Sequence, residues 1–136
     1  MKKLLLIMLS GILILACGKQ ESVTDKKADP AQSEKTYKIG ITQIVTHPSL
    51  DLAKEGFKKA FEEAGLKAEY DEKNAEGSIA NANLISTNFK ADKKDLVFGI
   101  ATPSAQALAN NISDIPVIFS AVTDPESAKI LNQNVT

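Results

Sequence analysis

The chain has 136 residues, of which 43% are hydrophobic and 24% charged, with a formal net charge of -1. This length suits one domain, and the ordinary balance of apolar and charged residues excludes wholesale disorder. The near-neutral charge gives no basic field for nucleic acid, and 5% aromatic residues without tryptophan leave little surface for stacking bases.

The N-terminus has the features of an export signal. Two lysines follow Met1, and residues 4–16 are apolar apart from a serine and a glycine. This run is too short for a permanent membrane span, but it suits the core of a signal peptide. It ends in Ile-Leu-Ala-Cys-Gly, which resembles a bacterial lipobox, at the single cysteine of the chain, Cys17. We predict a lipoprotein signal peptide over residues 1–16 and lipidation of Cys17; the alternative is a signal peptide cleaved elsewhere.

The next segment is too polar to bury surface. Between residues 19 and 35 the only large aliphatic residue is Val23. Residues 17–36 are therefore interpreted as the lipidated cysteine and a flexible tether, and residues 37–136 as the domain it carries. This organisation predicts a protein anchored to a membrane of the bacterial cell envelope and exposed outside the cytoplasm.

Strand and helix patterns alternate through the first half of the domain. Residues 37–43 are rich in β-branched residues and predict a strand. A helical stripe that ends at Gly65 follows, formed by Leu50, Ala53, Phe57, Ala60, Phe61 and Ala64. Residues 66–72 alternate with polar side chains, which predicts a strand near a sheet edge.

The second half repeats this alternation. A second helix opens at Gly77-Ser78, with one side formed by Ile79, Ala82, Ile85, Ser86 and Phe89. Residues 96–101 are continuously apolar, as in a strand covered on both faces. A short helix over about residues 103–110 and a strand over residues 115–122, with Pro116 at its start, complete the pattern. The fold class predicted is α/β, with a doubly wound parallel sheet in flavodoxin-like order.

Three predicted strand ends share one chemistry. Residues 46–49, 102–104 and 123–127 each offer threonine, then proline, then serine. In an open parallel sheet, ligands bind beyond the carboxyl ends of the strands, where hydroxyl and free N–H groups can hold an anionic group. Such residues also cap helices without any ligand, but three together favour a site for a small polar ligand.

Catalytic, metal and cofactor chemistry has little support. His47 is the only histidine, and a triad with a serine and Asp124 would rest on composition alone. One histidine and scattered carboxylates show no metal-ligand spacing, and no glycine-rich phosphate loop is present in the sequence. We therefore expect a protein that is not an enzyme and has no cofactor, with a small flavodoxin-like hydrolase that uses His47 as an alternative.

Three segments carry a family resemblance. They are residues 39–51 with Gly56-Phe57, residues 100–107 and residues 115–125. In order and spacing the chain resembles the substrate-binding lipoproteins of ABC transporters, in the tryptophan/tyrosine-type group of the type I periplasmic-binding-protein superfamily. The resemblance implies capture of a small molecule, often an aromatic amino acid, and its delivery to a permease and ATPase in the membrane.

The resemblance also implies a ligand-binding set at the first-lobe wall of a cleft, namely Gln43, His47, Thr102, Ser104, Thr123 and Asp124. Thr102 and Ser104 would hold a ligand carboxylate, and Asp124 would pair an ammonium. Gln43 and His47 would border the side-chain pocket. Nothing in the sequence separates tryptophan from tyrosine or another solute.

Family members close two lobes over the ligand, whereas residues 37–136 correspond to an incomplete first lobe. We therefore expect either a truncated gene product or part of a longer receptor. In the first case, a non-binding anchored lipoprotein is the alternative function.

Overall fold

The structure, a computed structural model, describes residues 35–131. The predicted signal peptide, Cys17 and nearly all of the tether lie outside these residues. Within them, four strands alternate with three helices: β1 (Thr36–Gln43), α1 (Pro48–Glu63), β2 (Lys67–Asn74), α2 (Ile79–Ala91), β3 (Leu96–Ile100), α3 (Thr102–Asn111) and β4 (Val117–Ser120). Among these residues, no helix combines the length and apolar character needed to cross a membrane.

The strands form one parallel sheet in the order β2-β1-β3-β4. This confirms the predicted α/β class and the flavodoxin-like order, in which β2 lies on one side of β1 and the later strands, β3 and β4, lie on the other side. As the alternating pattern of residues 66–72 predicts, β2 lies at one edge, and β4 lies at the other edge of the described sheet.

Both faces of the sheet are covered by helices. On one face, α1 packs Leu50, Ala53, Phe57 and Phe61 against a buried cluster of Ile39, Ile41, Phe98 and Ile100. On the other face, α2 and α3 enclose a cluster of Phe89, Val97, Leu108 and Ile112. Because side chains alternate along a strand, Val97 and Phe98 point to opposite faces and join different clusters. The helices on both faces make the parallel sheet doubly wound.

Two glycines allow the helices to approach the sheet closely. A Cβ atom on Gly40 would lie 2.7 Å from the ring of Phe89, and one on Gly99 would lie 2.9 Å from Ala105 Cα. The first contact seats α2 on β1, and the second seats the first turn of α3 on β3. The start of α3 is therefore fixed directly over the end of its own strand.

Several sequence-based details were wrong. Ile79, which was predicted to share one side of α2 with the buried Ala82 and Phe89, is 66% exposed. Ala60 and Ala64 are also exposed, so the buried stripe of α1 is narrower than its spacing suggests. β4 has only four residues, and its Ile118, which pairs with Phe98, is 43% exposed.

Candidate functional site

The three polar loops predicted from the sequence follow adjacent strands. Gln43 pairs with Ile100, and Ile100 pairs with Ser120, so the last residues of β1, β3 and β4 form one row. Neighbouring strands lie about 4.8 Å apart, which places the two outer ends of this row about 10 Å apart. Residues 46–49, 102–104 and 123–127 therefore leave the same edge of the sheet side by side.

His47 begins the first loop-to-helix junction as the N-cap of α1. Its Nδ1 accepts a hydrogen bond from the Ser49 N–H at 3.3 Å and lies 2.7 Å from Ser49 Oγ. Pro48 follows in the first helical turn, where its missing N–H costs nothing. The exposed imidazole is thus a capping group, which agrees with the alternative that the residues of this loop cap a helix without any ligand.

Gln43 ends β1 and points to the α1 face of the sheet. The residue is only 5% exposed, and its Nε2 donates to the Val45 carbonyl and to Asp51 Oδ1, both at 3.1 Å. These bonds tie the loop after β1 to the first turn of α1. The other amide atom, Oε1, is buried without a hydrogen-bond partner among residues 35–131.

The second junction, between β3 and α3, is strained. Ala101 has φ 74° and ψ 155°, a conformation that is almost confined to glycine. No side chain caps the start of α3, and Pro103 removes one N–H from its first turn. The N–H groups of Thr102 and Ser104 therefore lie at an uncapped helix terminus, whose partial positive charge favours an anion.

The Ser104 hydroxyl is not exposed at this uncapped helix terminus. Ser104 is fully buried, and its Oγ has no hydrogen-bond partner in the part of the chain that the structure describes. Thr42 is also fully buried, and its Oγ1 likewise has no hydrogen-bond partner among residues 35–131. The whole of Ser104, backbone included, is therefore inaccessible, whereas Thr102 is only partly buried.

Asp124 organises the third loop. Its carboxylate accepts hydrogen bonds from the N–H groups of Glu126 and Ser127, at 3.1 and 3.0 Å, and from the Ser127 hydroxyl. The hydroxyl bond, followed by the Ser127 N–H bond, lowers the pKa of Asp124 below its ordinary value. The turn is anchored by Ile130, which is fully buried against α3, while Thr123 stays exposed.

A cavity of about 240 Å³ opens beside the row, between α1 and the edge strand β2. Its lining is Ile41, Gln43, Thr46, Asp51, Lys54, Glu72, Lys73 and Asn74. Sequence reasoning did not single out Asp51, Lys54 or Glu72. Two local patterns could have done so, since three-residue spacing aligns Asp51 with Lys54, and strand alternation puts Glu72 on the face of Tyr70.

Charges around this cavity are paired. Lys54 Nζ lies 3.3 Å from Glu72 and 3.7 Å from Asp51, and Lys58 Nζ lies 2.9 Å from Glu72. The hydrogen bond from Lys58 lowers the pKa of Glu72, and Lys54 adds to it against the opposing effect of burial. Glu72 is therefore a carboxylate at neutral pH. Among the described residues, no cluster of histidine, cysteine and acidic side chains could hold a metal ion.

The structure thus brings the loops of His47, Thr102 and Thr123 to one edge, but it gives the six predicted residues different surroundings. Ser104 and Gln43 are buried, while His47 and Asp124 are engaged in local caps. Their ligand roles stay predictions.

Residues 38–135 match a family model described as ABC transporter substrate binding protein. Over 96% of its length, the chain is 42% identical to a tyrosine-binding protein of Clostridioides difficile strain R20291, and it covers 40% of that relative. The chain therefore spans less than half of the curated relative.

Solved structures agree with this match. The ligand-free, open structure of a substrate-binding protein with adhesive properties from Clostridium difficile is 47% identical, with a TM-score of 0.66, over 68% of this chain and 32% of that one. An ABC domain in complex with L-Trp from Streptococcus pneumoniae is 43% identical, with a TM-score of 0.64, over the same shares of 68% and 32%. A conserved domain protein from Vibrio cholerae is 41% identical, with a TM-score of 0.70, over 73% of this chain and 35% of that one. The matched segment, the parallel sheet and these relatives together establish that the chain belongs to the family of ABC transporter substrate-binding proteins.

Proposed function

We propose that residues 37–136 form one wall of a cleft that captures an aromatic amino acid, such as tryptophan or tyrosine, for delivery to an ABC permease and its ATPase. The observation that carries this proposal is the row of aligned strand ends, at which α3 begins without a side-chain cap. The ligand class is supported by the relatives, one a tyrosine-binding protein and one solved with L-Trp.

The ligand carboxylate is assigned to the start of α3. The N–H and the hydroxyl of Thr102 offer donors at the positive end of the helix, which no side chain caps. Ser104 is fully buried as a whole residue, so in this proposal it positions the first turn of α3 rather than donating directly.

The ligand ammonium is assigned to the loop after β4. Asp124 remains a carboxylate at neutral pH because the Ser127 hydroxyl and N–H groups lower its pKa. A carboxylate has about four acceptor positions, so its capping bonds leave capacity for an ammonium. Thr123 is exposed beside it and offers a further hydroxyl.

Gln43 and His47 border the side-chain pocket in this proposal. The His47 ring is exposed at the start of α1, whereas Gln43 holds the loop that carries it through the Val45 carbonyl. Replacing His47 is therefore expected to change ligand preference rather than to abolish binding. We propose that the protein has no enzymatic activity, because Nδ1 of this histidine already serves as a helix cap.

Two further elements complete the proposal. Lipidation at Cys17 would hold the protein on the outer side of a membrane in the cell envelope, with the tether giving the domain reach. A second lobe would close the cleft, because one open wall cannot bury most of a small ligand. The solved relatives of which the chain covers 32% contain the additional length for such a lobe.

The first experiment is a titration of L-tryptophan with the purified chain. Because the chain has no tryptophan, any emission or anisotropy change belongs to the ligand alone. Because this wall buries only part of the ligand, we expect weak binding, seen as a rise in anisotropy that saturates at millimolar concentrations and that tyrosine competes away. Thr102→Pro should weaken binding more than Thr102→Val, since proline also deletes the N–H while remaining compatible with a first helical turn.

Thr87→Val on the exposed side of α2 is the matched control and should bind like the wild type. No saturable change with either amino acid would refute capture by this chain and favour the non-binding anchored lipoprotein. Turnover of an ester substrate that is lost in His47→Ala would instead favour the hydrolase. Intact-mass measurement of the membrane-extracted protein tests lipidation separately, since acyl chains add a defined mass to the segment that starts at Cys17.

A further inference from the structure

We infer that the outer face of α2 and α3 is the contact surface for a second copy of this chain, in a weak two-fold dimer. The inference goes beyond the ligand proposed at the strand-end row and does not depend on it. It rests on the lack of charge on this face, on its exposed apolar side chains and on the area that the two helices offer.

The helices that cover the sheet differ in charge. Seven of the 16 residues of α1 are charged, whereas α3 has no charged residue and α2 has only Lys90, in its last turn. Residues 77–89 and 96–113 contain no charged residue, although 24% of the whole chain is charged. Because charged residues are depleted at the centre of protein–protein interfaces, this face has the composition of an interface.

Large apolar side chains are exposed on the same face. On α2, Ile79 is 66% exposed and Leu84 is 59% exposed. An open groove of about 180 Å³ lies between α2 and α3, and its lining also lacks charge: Ile79, Asn83, Pro103, Gln106, Ala107 and Asn110. Since a water molecule occupies about 30 Å³ in the liquid, the groove has room for a branched aliphatic side chain.

The two helices form one continuous surface. Asn111, at the end of α3, donates from Nδ2 to Asn83 Oδ1 at 3.0 Å and to Ser86 Oγ at 2.9 Å, both on α2. Lys90 Nζ donates to the Asn111 carbonyl at 3.1 Å, which engages the single charge of α2 at the end of the face. The groove is therefore already formed in one copy.

The self-complementarity of the face favours a second copy as its occupant. In a two-fold contact the same patch lies opposite itself, so a charge near the axis meets a like charge. A face without charge avoids this repulsion, and its amides can pair in either direction because each carries donors and an acceptor. Each copy offers both a protruding Leu84 and a groove, so the same apolar contact can form twice.

The area of the face determines how strong the contact can be. Because α2 has 13 residues, it is about 20 Å long, and two packed helices are about 20 Å wide. The face therefore measures about 400 Å², and a dimer would bury about 800 Å² in all. This area is typical of weak, transient interfaces, for which we expect a Kd between about 1 µM and 1 mM.

Sedimentation velocity of the purified full chain tests the inference. We expect the sedimentation coefficient to rise from the monomer value towards the dimer value between about 10 µM and 1 mM protein. Leu84→Lys should raise the Kd at least about tenfold, because it brings two ammonium groups together across the axis. The wild-type Kd should stay the same between about 0.05 and 0.5 M NaCl, since no ion pair holds this contact.

Leu52→Lys is the matched control. Leu52 is 73% exposed on α1, so this substitution, like that of Leu84, replaces an exposed leucine by lysine without disturbing a buried side chain. The Leu52→Lys variant should dimerise with the Kd of the wild type.

Three results would overturn the inference: a monomer at all concentrations up to about 1 mM, an equal Kd for Leu84→Lys and the wild type, or loss of the dimer in Leu52→Lys. Association through the apolar residues 4–16 would give the second result, because it does not involve Leu84. Loss of the dimer in Ile118→Lys, while Leu84→Lys still dimerises, would place the contact at the edge of β4 instead. Tryptophan binding does not involve Leu84, so it can fail while self-association stands, and the two proposals can fail independently.

Discussion

Replacing Gly99 with alanine tests whether the close approach of α3 to β3 fixes the strand-end row. The added Cβ would lie 2.9 Å from Ala105 Cα and 3.0 Å from both Ala105 N and Leu108 Cδ1. Two of these three atoms belong to the backbone of α3, so a side-chain rotation cannot relieve the contact. The helix has to shift by a few tenths of an ångström, and overpacking of this kind costs about 1–3 kcal/mol.

Urea unfolding followed by far-ultraviolet circular dichroism measures this loss. With an m-value of about 1–3 kcal/mol/M, the midpoint should fall by about 1 M. Gly56→Ala is the matched control, because no atom lies within 4 Å of its added Cβ. That variant should gain about 0.5–1 kcal/mol from the better helix former. A Gly99→Ala midpoint equal to or above that of the wild type would refute the argument.

Three further predictions concern strain, charge and packing. Ala101→Gly should raise the urea midpoint, because relief of about 1–3 kcal/mol of backbone strain outweighs the entropic cost of glycine; a lower midpoint would contradict this. Asp124→Ala should lower the melting temperature most at neutral pH. The folded-state pKa of Asp124 is depressed, so its stabilising effect is complete above the ordinary carboxyl pKa and is lost as the pH falls below about 4. A difference between wild type and variant that stays constant from neutral pH to pH 3 would argue against the ionised cap. Phe57→Ala should lower the free energy of unfolding by about 2–3 kcal/mol, because the variant loses a ring whose centroid lies 4.3 Å from that of Phe98. The loss is smaller than for a fully buried phenylalanine, since Phe57 is only half-buried. An unchanged urea midpoint would refute this.

The sequence pattern predicts where Gln43 lies along β1, but not which atoms its side chain contacts. Its place at the end of β1 is predicted from the apolar run that precedes it, and the structure confirms that place. The face to which its side chain points, and its bonds to Val45 and Asp51, depend on how β1 pairs and on where α1 lies. The sequence therefore located the residue, and only the packing connected it to the cavity beside β2.

In the candidate site, the places of Asp124 and Ser104 along the chain were predicted, but the surroundings of their side chains were not. Both follow predicted strands, as the spacing of residues 102–104 and 123–127 requires. However, the carboxylate of Asp124 is engaged by its own turn, and the hydroxyl of Ser104 is buried without a partner among the described residues. The turn of Asp124 is local, since its partners lie two and three residues further on, and capping residues of this type predict it. The burial of Ser104, in contrast, depends on how α3 packs on the sheet.

The sequence by itself determined the alternation of strands and helices, the parallel sheet and the family, because hydrophobic periodicity and turn residues act over a few neighbouring positions. The tertiary structure decided the shortening of β4, the exposure of Ile79, the strained φ of Ala101 and the cavity beside α1. Each of these depends on contacts between residues far apart in the chain, which local propensity does not contain. The physical reason is that burial and hydrogen-bond partners are properties of the assembled sheet and its covering helices.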